Sequence, residues 1–431
     1  MFENVLGQNA VTQLVLDVSS GTLPPSILFE GPPASGKGTA ALELGRALSC
    51  LSPGAPWNCT CSECAKHRQL THPDLLLLGS RSFSAEIAAA AAAYLREPES
   101  AAKLLFFRSL RKLLARFNPV LWEGEEARLG KFTPLISVCN ETLEELGALE
   151  LSQSDREKLT SQLIKNAFQL EREGISDTIP IFQIRRAAYW ARLAPLGKKK
   201  LLVIENADRM QDGARNALLK ILEEPPETAQ IVLCTTKKAA LLPTIRSRLR
   251  PYMFEKRNEQ AEQDVIRRVF RDGSALSGSE PVSLEGYLES FLPIQPSQIS
   301  RAAALYFATI VLKAQQKKLV RNPQILDDLQ ALMQKWQDVE IPQNITVRHS
   351  LLALTKDMDN FSASFIFTDF LKELLSICGH LLRSSQSEPD MVNLVNIWKD
   401  QIKEADNAVS TYNLNPFSSL ERLFVLMLEA I

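Results

Sequence analysis

The sequence GPPASGKGT, which begins at Gly31, carries the residue types of a phosphate-binding loop. Gly31, Gly36 and Lys37 fit the first seven places of the pattern G-x-x-x-x-G-K-[ST]. Such a loop turns backbone N–H groups toward phosphate oxygens at the start of a helix, and its lysine neutralises the outer phosphates. The eighth place, where a hydroxyl would bind Mg²⁺, is Gly38, and the hydroxyl comes one residue later at Thr39. These five residues predict a nucleotide site with weakened metal binding; a plain Gly/Pro turn is the alternative.

An apolar strand that ends in acidic residues is the second element expected of a nucleotide site, because such acids hold Mg²⁺ and activate water. The sequence LLVIENADRM supplies such a strand, with Glu205 at the metal-binding place. The next place, where a catalytic carboxylate would stand, is Asn206, which cannot accept a proton as a carboxylate does. We therefore expect nucleotide binding without efficient hydrolysis. The alternative for Glu205 is a solvent-exposed acid at a strand end.

Four of the seven cysteines crowd into one short segment and predict a metal site. They are separated by eight, one and two residues: Cys50, Cys59, Cys61 and Cys64. Four thiolates at this spacing can close a tetrahedral Zn²⁺ site, which is structural because it leaves no open position. An odd cysteine count in a long chain suits reduced thiols better than a disulfide framework. Free thiols are the alternative, and His67 and His72 are candidate substitute ligands.

The strands that would position these residues appear as short apolar runs separated by helical patterns. The runs are SILFE at 26–30, LLLL at 75–78, LLVIE at 201–205 and IVLCTT at 231–236. Continuous apolar strands that alternate with helices predict an α/β fold with a parallel sheet covered on both faces. From about residue 79 to 176 the pattern is purely helical, which indicates an insertion. Beyond Phe254 only helical patterns follow.

Composition and charge narrow the function classes. A chain of 431 residues suggests about three domains. Its 49 Lys and Arg residues nearly cancel its 50 Asp and Glu residues, so no broad basic surface for nucleic acid is indicated. No apolar run is long enough to span a membrane, and the N-terminus lacks the pattern of a signal peptide. We expect a cytoplasmic protein that does not contact membranes.

The stretch NALLKILEEPPETAQIVLCTTKKAALLPTIRSRL at 216–249 resembles the clamp-loader subunits of bacterial DNA polymerase III, of both the delta-prime and the gamma/tau types. Further segments resemble the same family in the same order: VLGQ at 5–8, THPDLLLL at 71–78, QIRRAAYW at 183–190 and NLNPFSSLERLFVLML at 413–428. The family is AAA+, and the resemblance implies three domains. These are a P-loop domain at 1–254 with a zinc module at 50–64 and the insertion at 79–176, a helical lid at 255–315 and a helical collar for oligomerisation at 316–431.

The resemblance also implies roles for single residues. Lys37 would contact the outer phosphates and Glu205 would lie near Mg²⁺ of a bound ATP. Thr235 and Thr236 match the residues that sense the terminal phosphate.

Arg248 matches the arginine of a Ser-Arg-Cys signature, in which Ser247 is kept and Leu249 replaces the cysteine. It would act as an arginine finger in the ATP site of a neighbouring subunit, because a guanidinium is always charged and meets phosphate oxygens bidentately. A surface arginine among several is the alternative.

Gly38, Asn206 and Leu249 all depart from the gamma/tau pattern, so the resemblance favours a delta-prime type whose own ATPase activity is weak or absent. Its implied partners are the other subunits of a hetero-pentamer, the sliding clamp and primed DNA. The implied cofactors are structural zinc and ATP with Mg²⁺. An active gamma/tau-type ATPase and, from GKGT alone, a small-molecule kinase are the alternatives.

Within the insertion, KLLFFRSLRKLLAR at 103–116 is a basic amphipathic segment with five basic residues and no acid. Contact with DNA phosphates or an acidic partner is one interpretation. We expect the other, a packed helix whose basic side faces solvent and is balanced by the acidic ETLEELGALE that follows.

Overall fold

In the computed structural model, the described residues are 1–148, 151–176, 178–276, 282–292, 296–316, 363–384, 389–410 and 414–431. They divide into two compact units, Met1–Phe291 and Leu292–Ile431. Each unit is described by itself.

The first unit contains a five-stranded sheet in the order β2-β3-β4-β1-β5, and every neighbouring pair of strands is parallel. The strands are β1 (Ser26–Glu30), β2 (Leu75–Gly79), β3 (Lys200–Glu205), β4 (Ala229–Thr235) and β5 (Arg250–Met253). Residues of β1, β3 and β4 are buried throughout. Both sheet faces are therefore covered, and the α/β class predicted from the apolar runs is confirmed.

Thirteen helices accompany this sheet within the described part of the first unit. They are α1 (Ala10–Ser19), α2 (Lys37–Ser49), α3 (Ser62–Gln69), α4 (Ser84–Arg96), α5 (Ser100–Leu114), α6 (Glu126–Gly130), α7 (Thr133–Ala148), α8 (Gln153–Gly174), α9 (Ile181–Arg192), α10 (Asp212–Glu223), α11 (Pro243–Arg246), α12 (Glu259–Arg268) and α13 (Leu284–Glu289). One core lies between the sheet and α1 and α2, and it includes Leu14, Phe29 and Leu44.

The segment predicted as an insertion is helical, as expected, and forms α4 to α8. A short 3-10 turn, Ala115–Phe117, follows α5 and packs beside β2. This turn carries one insertion residue, Arg116, to the edge of the sheet. Helices α12 and α13, which lie in the predicted lid, pack against α4 through a cluster that includes Ala89, Ile266 and Tyr287.

In the second unit, α14 (Pro296–Gln316) and three later helices share one core. Those three helices span Ala363–Ser384, Pro389–Ser410 and Pro416–Glu429. Two buried side chains tie the unit to its last helix: the hydroxyl of Tyr306 donates to the Leu420 carbonyl (2.7 Å), and Nε1 of Trp398 donates to the Met427 carbonyl (2.9 Å).

The predicted boundaries at 254/255 and 315/316 do not coincide with the division at 291/292, because α14 contributes to the second core. Residues 317–362 of the predicted collar lie outside the described residues. The assignment of lid and collar roles stays a prediction. Across the described residues, no helix is both long and apolar enough to cross a membrane.

Candidate nucleotide and zinc sites

The predicted phosphate loop connects β1 to α2, so strand, loop and helix follow in the expected order. Gly36 caps α2 with a left-handed φ of 94°. Glycine adopts this conformation at little cost, whereas a side chain would be strained there. Gly31 is constrained by space, since a Cβ there would lie 2.1 Å from the Phe254 carbonyl oxygen. The helix begins at Lys37, so the N–H groups of Lys37, Gly38 and Thr39 have no intrahelical acceptor.

The Lys37 ammonium group folds back onto the loop itself. Its Nζ donates to the carbonyl oxygens of Gly31 (2.7 Å) and Pro32 (2.5 Å) and to Oγ of Ser35 (3.1 Å). Burial lowers the pKa of Lys37 from 10.5 to about 8. A phosphate group would take over these donated hydrogen bonds and favour the charged form of the lysine further.

Glu205 lies at the end of β3 beside Gly38, as the sequence predicted for a metal-binding acid, but two arginines hold its carboxylate. NH1 of Arg81 donates to Oε1 (3.1 Å), and NH2 of Arg116 donates to Oε2. Burial by itself raises the pKa of Glu205, but the charges of Arg81 and Arg116 outweigh it and leave the pKa below 4.5. Both carboxylate oxygens are therefore engaged by cations of the protein.

The two arginines belong to a wider ion-pair network. Glu86 of α4 pairs with both Arg81 and Lys112 of α5. Burial raises the pKa of Glu86, but Lys112 and Arg81 outweigh it and lower the pKa from 4.5 to about 2. Both the Arg81 and the Arg116 guanidinium groups lie 5.3 Å from the ring centre of Phe83. Glu205 and the ring of Phe83 thus hold both guanidinium groups in place, and Glu86 provides a second carboxylate for Arg81.

This donor set does not fit Mg²⁺. The ion requires oxygen ligands in octahedral geometry. Gly38 offers no hydroxyl, and a Cβ at this residue would already lie 2.8 Å from Oε1 of Glu205. Thr39 is half-buried in the first turn of α2 and carries the nearest hydroxyl in sequence. The space beside Gly38 is occupied by the Glu205 carboxylate and its arginine partners.

The predicted phosphate-sensing threonines differ in their surroundings. Thr235 ends β4 and is fully buried; its hydroxyl donates to Oδ1 of Asp208 (2.6 Å) and accepts from the Lys237 N–H (3.0 Å). The single hydroxyl proton of Thr235 is therefore committed to a carboxylate. Thr236 follows the strand and is exposed.

Arg248, the predicted arginine finger, lies at the surface just after α11. NH1 donates to the Thr244 carbonyl oxygen (2.7 Å), and NH2 forms an ion pair with Glu223 (2.8 Å). The Arg248 side chain is 34% exposed and the Glu223 side chain 52%. Exposed pairs of this kind contribute about 0.2–1 kcal/mol, so the guanidinium can leave Glu223 for a stronger anion at small cost.

The four predicted cysteine ligands come together. Their sulfur atoms all lie within 4.8 Å of one another, and the Cys50 and Cys59 sulfurs are 3.6 Å apart. A tetrahedron of sulfurs around zinc, with Zn–S distances of about 2.3 Å, has edges of about 3.8 Å. The cluster therefore fits a Zn²⁺ ion that Cys50, Cys59, Cys61 and Cys64 would hold. The single residue between Cys59 and Cys61 does not prevent this arrangement.

The thiols of the cluster differ in acidity. A hydrogen bond with Ser52, together with a backbone hydrogen bond from Cys61, lowers the pKa of the Cys59 thiol from 9.0 to about 6. Burial raises the pKa of Cys64 to about 12, so this sulfur is a thiol until a cation compensates its charge. A zinc ion deprotonates its thiol ligands.

Arg46 of α2 connects the cluster to the helix that begins at the phosphate loop. Its guanidinium donates to the Cys64 sulfur (3.1 Å), to the Ala55 carbonyl oxygen (2.8 Å) and to both carboxylate oxygens of Glu43. Arg46 and Glu43 are both buried. Arg46 thus fixes the position of the Cys64 sulfur within the cluster.

The two histidines near the cluster do not join it. Nε2 of His67 lies 2.9 Å from the Ser49 hydroxyl, and Nε2 of His72 lies 2.8 Å from Oε2 of Glu63. The rings stack with centroids 4.1 Å apart. Burial, His72 and Arg108 lower the pKa of His67 to about 3.

All five basic residues of the 103–116 segment donate to acceptors within the protein. Lys103, Arg108 and Arg111 donate to backbone carbonyls, and Lys112 and Arg116 donate to carboxylates. The expected packed helix is confirmed, but its basic side mostly faces the protein rather than solvent. Sequence reasoning missed Arg81 and Arg116 as site residues; the basic character of the 103–116 segment was a signal for Arg116 alone.

Comparisons with known proteins identify the family. A family model described as "DNA polymerase III, delta subunit" matches residues 7–103 and 137–258, just over half of the chain. Subunit delta' of DNA polymerase III from Pseudomonas aeruginosa is 32% identical over 120 residues, which are 28% of this chain and 37% of that protein. Subunit gamma/tau from Mycobacterium tuberculosis is 36% identical over 81 residues, 19% of this chain and 13% of that protein.

Subunit delta' from Bacillus subtilis is 42% identical over 68 residues, 16% of this chain and 21% of that protein. The matched residues thus cover between 13% and 37% of the length of these three relatives. The parallel sheet, the strand–loop–helix order around Lys37 and the helical C-terminal unit agree with the α/β AAA+ fold that the resemblance implied. Because the family model matches more than half of its residues, the chain belongs to the DNA polymerase III delta-subunit family.

Proposed function

We propose that the chain is a clamp-loader subunit of the delta-prime type, which helps load a sliding clamp onto primed DNA but does not hydrolyse ATP itself. The observation that carries the proposal is the engagement of Glu205 by Arg81 and Arg116 beside a Gly38 that lacks a hydroxyl. A hydrolytic site needs this acid for metal binding. A gamma/tau-type motor subunit would need it free.

The assembly role is tested by reconstitution with the delta and gamma/tau subunits of the same organism. We expect co-elution in one complex during size-exclusion chromatography. A pull-down from native lysate would identify the partners without assuming them. A chain that stays monomeric in both experiments contradicts the assembly role.

Hydrolysis is tested on the isolated chain. We expect no ATP turnover above background, both for the unchanged chain and for Lys37→Ala. Turnover that disappears on Lys37→Ala would instead favour the gamma/tau-type alternative, since this lysine is the phosphate-binding group of the loop.

Arg248 is proposed to reach the ATP site of the neighbouring subunit. Its surface position and weak pairing with Glu223 support this role. In the reconstituted complex, Arg248→Ala should abolish turnover at the adjoining site, because an arginine finger contributes roughly a thousandfold or more. Arg246→Ala is the matched control two residues away. An assembled Arg248→Ala complex with unchanged ATPase activity would contradict the assignment.

The cysteine cluster is proposed to hold one structural zinc ion. Elemental analysis of the purified chain should give about one zinc per chain. The Cys61→Ser/Cys64→Ser variant should lose it, whereas Cys139→Ser, which changes a buried cysteine of α7, should keep it. Equal zinc contents in all three proteins would show that the metal is bound elsewhere or not at all.

A further inference from the structure

Two positive side chains occupy the place beside Gly38 and Glu205 where a nucleotide-bound metal ion would lie. We propose that Arg81 and Arg116 take the place of that ion, so that the loop binds nucleotide phosphates without a divalent cation. The proposal rests on the proposed function, and it specifies which groups of the protein balance the negative charge of the bound phosphates.

The contacts of Glu205 are the first argument. Its side chain is only 10% exposed, and each oxygen accepts from a different guanidinium. A divalent ion would have to displace these charge-assisted hydrogen bonds, which are stronger than neutral ones. The divalent ion would also be repelled by the two guanidinium groups. Phosphate oxygens, in contrast, would be attracted by the same two groups.

The charges around the loop are the second argument. Glu86 and Lys112 balance each other, which leaves Lys37, Arg81 and Arg116 against the single carboxylate of Glu205. The surplus is positive and lies at the start of α2, where N–H groups without an intrahelical acceptor add to it. The negative charge of a metal-free polyphosphate would neutralise this surplus of positive charge.

Arg116 supplies the third argument. Its side chain is only 3% exposed, and within the described part of the chain its Nε and NH1 atoms have no hydrogen-bond partner. A buried donor without an acceptor costs free energy, so each such donor calls for an explanation, such as a bound ligand, ion or water. Phe83 provides an aromatic face at 5.3 Å. Among the described residues, Glu205 is the only ionic partner of the Arg116 guanidinium.

Arg116 belongs to the segment 104–136, between the two parts of the chain that match the family model. Arg81 lies within a matched part, two residues after the end of β2. The charge replacement thus combines a residue from a part of the chain that matches the family model with one from the unmatched segment 104–136. It gives part of the insertion a role that the sequence left open.

The test is isothermal titration of the full chain with ATP and with ADP. One buffer contains MgCl₂, and the other is freed of divalent cations over a chelating resin, without a soluble chelator that could remove zinc from the cysteines. We expect affinities that differ by at most about twofold between the buffers, or tighter binding without Mg²⁺. Binding that requires Mg²⁺, or no binding in either buffer, overturns the proposal.

Variants assign the effect to the arginines. Arg81→Gln and Arg116→Gln should each weaken metal-free ATP binding by about tenfold to a hundredfold, the range for one lost hydrogen bond to a charged group. Arg128→Gln is the matched control, because Arg128 lies in the same insertion but is exposed. If Arg116→Gln does not fold, as judged by circular dichroism, the partly exposed Arg81 decides the question. Unchanged affinity in Arg81→Gln overturns the proposal.

This result is separable from the assembly role. If the chain enters the reconstituted complex but binds ATP only with Mg²⁺, the assembly role stands and the charge-replacement proposal is wrong. A chain that binds metal-free ATP but stays monomeric gives the reverse outcome.

Discussion

Replacing Gly38 with alanine tests the position of the Glu205 carboxylate directly. In a helix, Gly→Ala alone stabilises by about 0.5–1 kcal/mol. Here the added Cβ would lie 2.8 Å from Oε1 of Glu205 and 3.4 Å from NH1 of Arg81. Because two arginines hold this carboxylate, we expect an overpacking cost of about 1–3 kcal/mol. The net expectation is a destabilisation of about 1 kcal/mol.

The assay is urea denaturation followed by circular dichroism, with equal slopes required across the variants. Gly147→Ala is the control, since a Cβ there meets only an ordinary contact, 3.7 Å from Phe107, and should stabilise α7. In a Glu205→Ala background the collision partner is gone, and Gly38→Ala should become stabilising by about 0.5–1 kcal/mol. The reasoning is refuted if Gly38→Ala stabilises the unchanged chain as Gly147→Ala does.

Three further outcomes are expected. Arg46→Ala should lower the free energy of unfolding, measured in urea, by about 3–5 kcal/mol, because it leaves the buried Glu43 without its partner. The same variant should lose zinc to a chelator more readily, since Arg46 also contacts the Cys64 sulfur. Arg46→Lys should show a smaller loss of stability and a smaller loss of zinc. The pKa of His67 is about 3 in the folded state against 6.5 in the unfolded state, so burial of the neutral ring stabilises the fold fully above pH 6.5, and about 2 kcal/mol of this stability is lost by about pH 5. His67→Gln should remove this part of the pH dependence of the free energy of unfolding. Parallel pH profiles for the unchanged chain and the variant would contradict the prediction. Glu223→Ala should change stability by less than about 1 kcal/mol, because its pair with Arg248 is exposed, and a larger loss would mean that Arg248 is locked in place.

The sequence was most informative where short-range patterns determine structure. Four of the five strands were visible as apolar runs, and the exception, β5, has only one buried residue among Arg250–Met253. The strand, loop and helix around Lys37 and the cluster of four sulfurs also follow from local spacing. Their residues lie close together in the chain, so few conformations are compatible with the pattern.

The arginine partners of Glu205 could not be predicted in this way. Arg81 and Arg116 lie 124 and 89 residues from Glu205 in sequence, and only the pairing of β2 with β3 and the turn after α5 bring them together. The basic residues of the 103–116 segment indicated a charged helix, but nothing local showed which side its charges would face. Long-range placement of charge depends on the tertiary structure.

The crowding at Gly38 has a consequence for how this site could change over evolutionary time. A serine or threonine at residue 38 would restore the hydroxyl of the loop pattern, but its Cβ would collide with Glu205 as long as the arginines hold that carboxylate. The substitutions are therefore epistatic. A change to a metal-binding loop would first require the loss of Arg81 or Arg116, and each such loss leaves Glu205 with one partner fewer. The two ion pairs of Glu205 thus oppose the appearance of a hydroxyl at residue 38.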